Sequence, residues 1–358
     1  MNQEAVIRQW QESVQDEELR QELEELLACG EQSRIDDAFF QNLAFGTAGL
    51  RGILGVGTNR MNIYTVAQAT QGLADYLNAH FENPSVAICR DSRLKGELFV
   101  RTAARVLAGN GVRALLYPRV EPTPALSWAV RDLNCSAGIN VTASHNPANY
   151  NGYKAYGADG CQITSQAAKE IQDAIDRTDP FADVKYADFD SAFEQGLIAW
   201  IGEDTLDRYI DAVAAQSLEP LPSLGSLSAA EAAATQQPAT EGVPLQQSAT
   251  EELSVVYTAL SGVGLECVSR ILERAGIRNI HLVEEQVQPD GTFRTCPKPN
   301  PEIREALEQG LALCENVHPD LLLATDPDAD RMGIAVENQG EYMLLSGNEV
   351  GILMLDYA

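Results

Sequence analysis

SVAICRDSRLKGELFVRTAARVLAGNGVRALLYP, residues 85–118, decides the fold class. SVAIC is a short apolar run of strand length. ELFVRTAARVLAGNG repeats apolar residues at helical spacing and ends in glycine, and VRALLYP is strand-like again. Two short buried strands separated by one helix form a unit whose strands run parallel and need helices on the sheet faces.

The same rhythm extends outward. ALSWAVRDL reads as a helix and SAGINV as the next strand, with SQAAKEIQDAI a further helix. Upstream, IYTVAQATQGLADYLNAHF reads as a helix, and the first forty residues are helical: EELRQELEELLACG spaces its leucines on one face and stops at Gly30. From about 216 to 250 the composition changes to Ala, Ser, Gln, Thr and Pro without an aromatic residue. Such a stretch buries little apolar area and is expected to be a mobile insertion. The alternation then resumes through LSVVYT, GLECVSRILERAG, IHLVEE, IREALEQGLALCE and LLLAT. An α/β protein of successive domains is predicted: 1–203, 204–340 with the insertion at about 216–250, and 341–358 as the start of another.

Bulk properties narrow the function. A net charge of −27 repels nucleic acid and anionic membrane. It leaves a small phosphorylated ligand possible, because surface charge is screened over about 8–10 Å and local cations set the potential in a cleft. No apolar run approaches the ~20 residues that span a bilayer, and the polar N-terminus lacks the features of a signal peptide. The seven cysteines are scattered, with no C-x-x-C pair. A reduced, cytoplasmic protein is expected.

Two segments carry chemistry. VTASHNPANYNGYK, residues 141–154, follows a buried strand, so Ser144 stands in a strand-to-loop turn at the carboxyl edge of a sheet. A serine hydroxyl needs a base or an existing phosphate to act as a nucleophile. His145, Asn146 and Lys154 offer donors for phosphate oxygens or routes for protons. Asn151–Gly152 is a turn signal that is expected to bring Lys154 back beside Ser144. The plain alternative is a capping serine in a polar loop. The pattern is not G-x-S-x-G, which disfavours a hydrolase elbow. LLLATDPDADRMGIAV, residues 321–336, spaces Asp326, Asp328 and Asp330 alternately between strand-like flanks. Three clustered carboxylates repel one another and favour a hard divalent cation such as magnesium. A calcium loop would put Glu337 at its twelfth position, but Arg331 occupies the place of the required glycine. A solvated acidic turn is the other alternative.

FGTAGLRG (45–52), TASHNP (142–147) and DPDADR (326–331), in this order, make the chain similar to the α-D-phosphohexomutase superfamily. FGTAGLRGILGVGTNRMNIYTVAQATQGLADYL and TCPKPNPE further resemble its phosphoglucomutase/phosphopentomutase branch. The resemblance implies that Ser144 is phosphorylated and that its phosphate, Asp326, Asp328 and Asp330 hold one magnesium ion. It implies that Arg51 approaches the phosphoserine, that Lys154 transfers protons, and that His145 and Arg331 are supporting cations. The implied reaction interconverts α-glucose 1-phosphate and glucose 6-phosphate through glucose 1,6-bisphosphate, which also serves as activator. A phosphopentomutase, a phosphomannomutase and a non-catalytic phosphosugar-binding protein are the alternatives. Family members have four domains with mixed, mostly parallel sheets around a central cleft. Here the third domain is expected to be only begun and the fourth absent, so that the chain alone turns over weakly.

The composition of the insertion yields a test. Deleting residues 220–248 should leave the melting temperature almost unchanged, because shortening a loop alters closure entropy by only about 1 kcal/mol. A fall of about 10 °C by calorimetry, several kcal/mol for a domain of this size, would mean that the segment packs on the core.

Overall fold

The computed structural model describes residues 3–47, 49–218 and 253–357. Most of the segment read as a low-complexity insertion therefore lies outside the described residues. Two compact units divide the chain, Met1–Thr205 and Leu206–Ala358.

The first unit begins with three helices, α1 (Gln3–Ser13), α2 (Glu17–Ala28) and α3 (Gln32–Phe39). Asp16 caps α2 by accepting from the Leu19 amide. These helices bury their apolar stripe around Trp10, which is 1% exposed and meets Phe39, Tyr64 and Phe181 edge-on at 5.4–5.7 Å. Next come β1 (Leu50–Ile53), α4 (Ile63–His80), β2 (Ser85–Arg90), α5 (Gly96–Gly109), β3 (Arg113–Leu116), α6 (Thr123–Asp132) and β4 (Ala137–Val141). The unit closes with β5 (Tyr150–Gly157), α7 (Ser165–Ile175), α8 (Phe189–Glu194) and β6 (Ile198–Trp200). An Asn62/Thr65 capping box starts α4.

The sheet order is β1-β5-β4-β2-β3-β6. β4, β2, β3 and β6 pair in parallel, and β5 and β1 are added antiparallel. Alternate residues face opposite layers. Val86, Ile88, Ile139, Val141 and Tyr153 join a core with α4, α5 and α7. Ala87, Cys89, Leu115 and Tyr156 pack against Leu126, Ala129 and Val130 of α6. Because both faces are covered, β4 is buried at every residue, which is why the strands read as continuous apolar runs.

The second unit takes up α9 (Glu203–Ala214), which spans the division, then β7 (Ser254–Thr258), α10 (Leu265–Arg274), β8 (Asn279–Leu282), α11 (Glu308–Val317), β9 (Leu321–Thr325), β10 (Met332–Asn338), β11 (Glu341–Leu345) and α12 (Gly347–Tyr357). Its sheet order is β11-β10-β9-β7-β8, with β7 parallel to β8 and β9, and with β9–β10 and β10–β11 antiparallel. Leu307, Leu311 and Cys314 pack on Val256, Leu322, Ala324 and Ala335. In α12, Ile352, Leu353, Met354, Leu355 and Tyr357 are exposed.

The mixed α/β architecture matches the expectation, with three local corrections. Asn151 and Gly152 form no turn. They lie inside β5, where Gly152 pairs with Arg51. A Cβ on Gly152 would sit 2.4 Å from the Thr142 carbonyl oxygen, so this glycine permits close strand approach and does not reverse the chain. The helix read from Ile303 begins as a 3₁₀ turn, Arg304–Leu307. The strand IHLVEE ends at Leu282, and Glu284–Gln286 is a 3₁₀ turn. Among the described residues no helix is long and apolar enough to cross a membrane.

The N-terminal helices are fastened chiefly through Trp10. Trp10→Ala should lower unfolding free energy by about 3–5 kcal/mol, the usual cost of truncating a buried tryptophan. Urea unfolding with limited proteolysis checks this. A loss under about 1 kcal/mol would show that the aromatic cluster is dispensable.

Candidate active site

In the first unit the candidate nucleophile stands just beyond the end of β4. Ser144 is buried and has φ of +54°, a left-handed conformation that costs a side-chain-bearing residue about 1–2 kcal/mol. Its peptide is held on both sides. The Ser144 amide donates to the Thr142 hydroxyl at 2.8 Å, and that hydroxyl donates to Asp91 Oδ2 at 2.6 Å. The Ser144 carbonyl accepts from Arg93 Nη2 at 2.6 Å. The same guanidinium donates to the carbonyls of Asn146, of Pro147 at 2.8 Å and of Tyr150 at 2.9 Å. Arg93 and Asp91 side chains are both 0% exposed, with Nε 3.4 Å from Oδ2.

The serine Oγ lies 3.2 Å from His145 Nδ1. Arg51, on β1, donates through Nη1 to Asn146 Oδ1 at 3.1 Å. Arg51 follows a glycine loop closed by reciprocal Gly46–Gly49 backbone bonds. Gly49 has φ of +78°, and a Cβ there would meet the Tyr153 carbonyl oxygen at 1.9 Å, so only glycine fits. Lys154 is 4% exposed and pairs across the sheet with Asn140, whose amide donates to the Thr123 hydroxyl at 2.6 Å. β-strand alternation puts Lys154 on the face covered by α6. Arg51 and His145 are thus gathered at the serine loop, and Lys154 stands on β5, the strand paired with the β4 strand that leads into that loop.

In the second unit Asp326, Asp328 and Asp330 fill the loop between β9 and β10. Each contributes a carboxylate oxygen within 4.8 Å of the others; Asp326 and Asp328 are buried and Asp330 is exposed. Asp326 Oδ1 accepts from the amides of Asp330 at 3.2 Å and Arg331 at 3.1 Å, and Ala329 turns the loop with φ of +51°. An all-oxygen donor set of this size fits a hard divalent cation and not zinc, which prefers nitrogen and sulfur. The antiparallel strands flanking the loop exclude a helix–loop–helix calcium hand. Arg331 is exposed, its Nε 3.9 Å from Asp330 Oδ1.

Two structural supports escape local reading. Arg93 and Asp91 are one; their only sequence signal is a pair of charges directly after an apolar strand. The other is TALSGVG, residues 258–264, which seats the aspartate loop. Leu260 and Ser261 both have positive φ, and the Val263 amide donates to the Pro327 carbonyl at 3.0 Å. A Cβ on Gly262 would lie 2.4 Å from Pro327 Cα, and one on Gly264 would lie 2.5 Å from the Thr325 hydroxyl. That hydroxyl is 2.9 Å from the Tyr257 hydroxyl, whose pKa burial pushes well above the usual phenol range. Gly-x-Gly after a strand is the legible trace of this seat.

Residues 42–181 match the family model described as phosphoglucomutase/phosphomannomutase, alpha/beta/alpha domain I, and residues 236–340 match domain II of the same family. The chain is 35% identical over 315 residues to a phosphoglucomutase of Staphylococcus saprophyticus, covering 87% of this chain and 52% of the relative. It is 34% identical over 332 residues to a phosphoglucomutase of Staphylococcus aureus, covering 91% and 54%. The chain therefore spans about half the length of these curated relatives. Among solved structures, a phosphomannomutase homologue from Thermus thermophilus superposes with a TM-score of 0.64 at 24% identity, covering 84% of this chain and 58% of that one. A Burkholderia thailandensis phosphoglucomutase/phosphomannomutase family protein gives a TM-score of 0.59 at 21% identity, covering 84% and 55%. At these identities the structures bear on the fold alone.

Gly262→Ala should cost about 1–3 kcal/mol, the usual range for forced overpacking. Thermal unfolding of the 358-residue chain would register this as a fall of several degrees. An unchanged melting temperature would show that the loop yields to the methyl group.

Proposed function

This chain belongs to the phosphoglucomutase/phosphomannomutase family, and from that premise we propose that it provides the phosphoserine and metal-binding parts of a mutase interconverting α-glucose 1-phosphate and glucose 6-phosphate. The observation that carries the reading is Ser144, fixed in a left-handed turn at the end of β4 with His145 Nδ1 3.2 Å from its hydroxyl. Glucose is favoured over mannose or a pentose by the names of the Staphylococcus relatives.

On this reading the Oγ–P bond of phosphorylated Ser144 breaks as a sugar hydroxyl oxygen forms the new O–P bond. The hydroxyl proton passes to Lys154, and a proton supplied through His145 returns to the serine oxygen. The product, glucose 1,6-bisphosphate, then reverses the exchange with its other phosphate. Transfer of this kind depends on positioning and charge neutralisation more than on covalent help. Arg51 faces the phosphate as a cation that Asn146 orients. Asp326, Asp328 and Asp330 would hold magnesium. When bound, the metal neutralises developing phosphate charge.

Incubation of the chain with magnesium and glucose 1,6-bisphosphate, followed by peptide mass spectrometry, tests the reading. Phosphate should appear on Ser144 and be absent from Ser144→Ala. Reproducible phosphate on another residue, with Ser144 bare, would defeat it.

A further inference from the structure

The buried guanidinium beneath the serine loop takes no part in the chemistry just described. It is nevertheless the most heavily bonded side chain near the nucleophile. Arg93 donates to four carbonyls within seven residues, those of Ser144, Asn146, Pro147 and Tyr150. Carbonyls so close in sequence converge on one point only if the loop is curled around it. A fully buried cation requires a counter-charge and filled donors. Asp91 supplies the charge, facing Nε at 3.4 Å, and the loop carbonyls take the donors of the two terminal nitrogens.

Asp91 has a second task. It accepts from the Thr142 hydroxyl, which accepts from the Ser144 amide. One ion pair thereby grips the Ser144 peptide at both ends, its carbonyl through Arg93 and its N–H through Thr142. This grip balances the unfavourable φ of Ser144. It also spends the serine's own amide inside the protein, so the phosphate on Oγ must be met by other donors.

We propose that Arg93, charge-paired with Asp91, is a positioning residue that imposes the left-handed turn on Ser144 and so aims its hydroxyl for phosphoryl transfer. The proposal rests on the mutase reading above and adds a residue that acts through the backbone, without touching substrate. Lysine cannot replace it, because one ammonium has three donors on a single atom whereas the planar fork spreads five over three nitrogens.

The test uses the 358-residue chain with Arg93→Lys and, as a neutral second variant at the other end of the grip, Thr142→Val. Two quantities are read: the rate of Ser144 phosphorylation by glucose 1,6-bisphosphate with magnesium, and hydrogen exchange across residues 142–150 compared with the rest of the unit. Both variants should be phosphorylated at least about tenfold and up to about 100-fold more slowly, the scale on which a small misplacement of a reacting group acts. Exchange should rise at 142–150 alone. Wild-type rate with unchanged loop exchange in Arg93→Lys would overturn the proposal. So would exchange that rises uniformly through the unit in both variants, which is the mark of a merely structural role. If wild type itself takes no phosphate, the mutase reading fails; the loop exchange still decides whether Arg93 holds the turn.

Discussion

A guanidinium removed from water governs the first unit's site. Burying Arg93 is tolerable only because Asp91 lies beside it and four backbone carbonyls turn inward to meet it. Those carbonyls belong to the chain between β4 and β5. The requirement to satisfy one cation therefore shapes the whole loop, including the residue with the least favourable backbone conformation. Breaking such a pair leaves a buried charge, which is far more costly than the pair's net contribution to stability. The loop is thus shaped for an electrostatic reason, and the parallel core of β4, β2 and β3 supplies the frame.

Both candidate loops use the same construction with different chemistry. Each follows a buried strand, contains a non-glycine residue at positive φ, and rests on a glycine that leaves no room for a side chain. Gly152 lies under the Thr142 carbonyl, and Gly262 lies against Pro327. In one loop the result is a hydroxyl beside an imidazole. In the other it is a cluster of carboxylates whose mutual repulsion is tolerable only with amide donors and a cation nearby. The strongly acidic surface does not contradict a phosphate ligand, since distant charge is screened within about 10 Å and Arg51 and His145 stand at the serine loop itself.

The family membership fits this division of labour. Domains I and II are both matched, and each unit carries one of the two chemical segments. The matched stretch covers 52% and 54% of the curated relatives. What the described units offer is a candidate nucleophile loop and an oxygen-rich candidate metal loop, each preorganised by its own strands.

Much was legible in the sequence because it is local. Apolar runs of strand length between amphipathic helices specified the α/β alternation, since burial on both faces leaves that pattern in any order of strands. TASHNP and DPDADR marked the two chemical loops because a hydroxyl beside an imidazole, and three alternating carboxylates, are compact arrangements within a few residues. What remained hidden depends on partners far apart along the chain. Arg93 meets the Ser144 carbonyl across 51 positions, and no periodicity announces that contact. Asn151–Gly152 carries a strong turn signal, yet pairing of β5 with β1 overrode it, because ladder hydrogen bonds and close strand approach outweigh a dipeptide's preference. Local order placed the two candidate loops in the chain; tertiary structure decided what holds the serine in place, because a buried charge must find its ligands wherever the fold brings them.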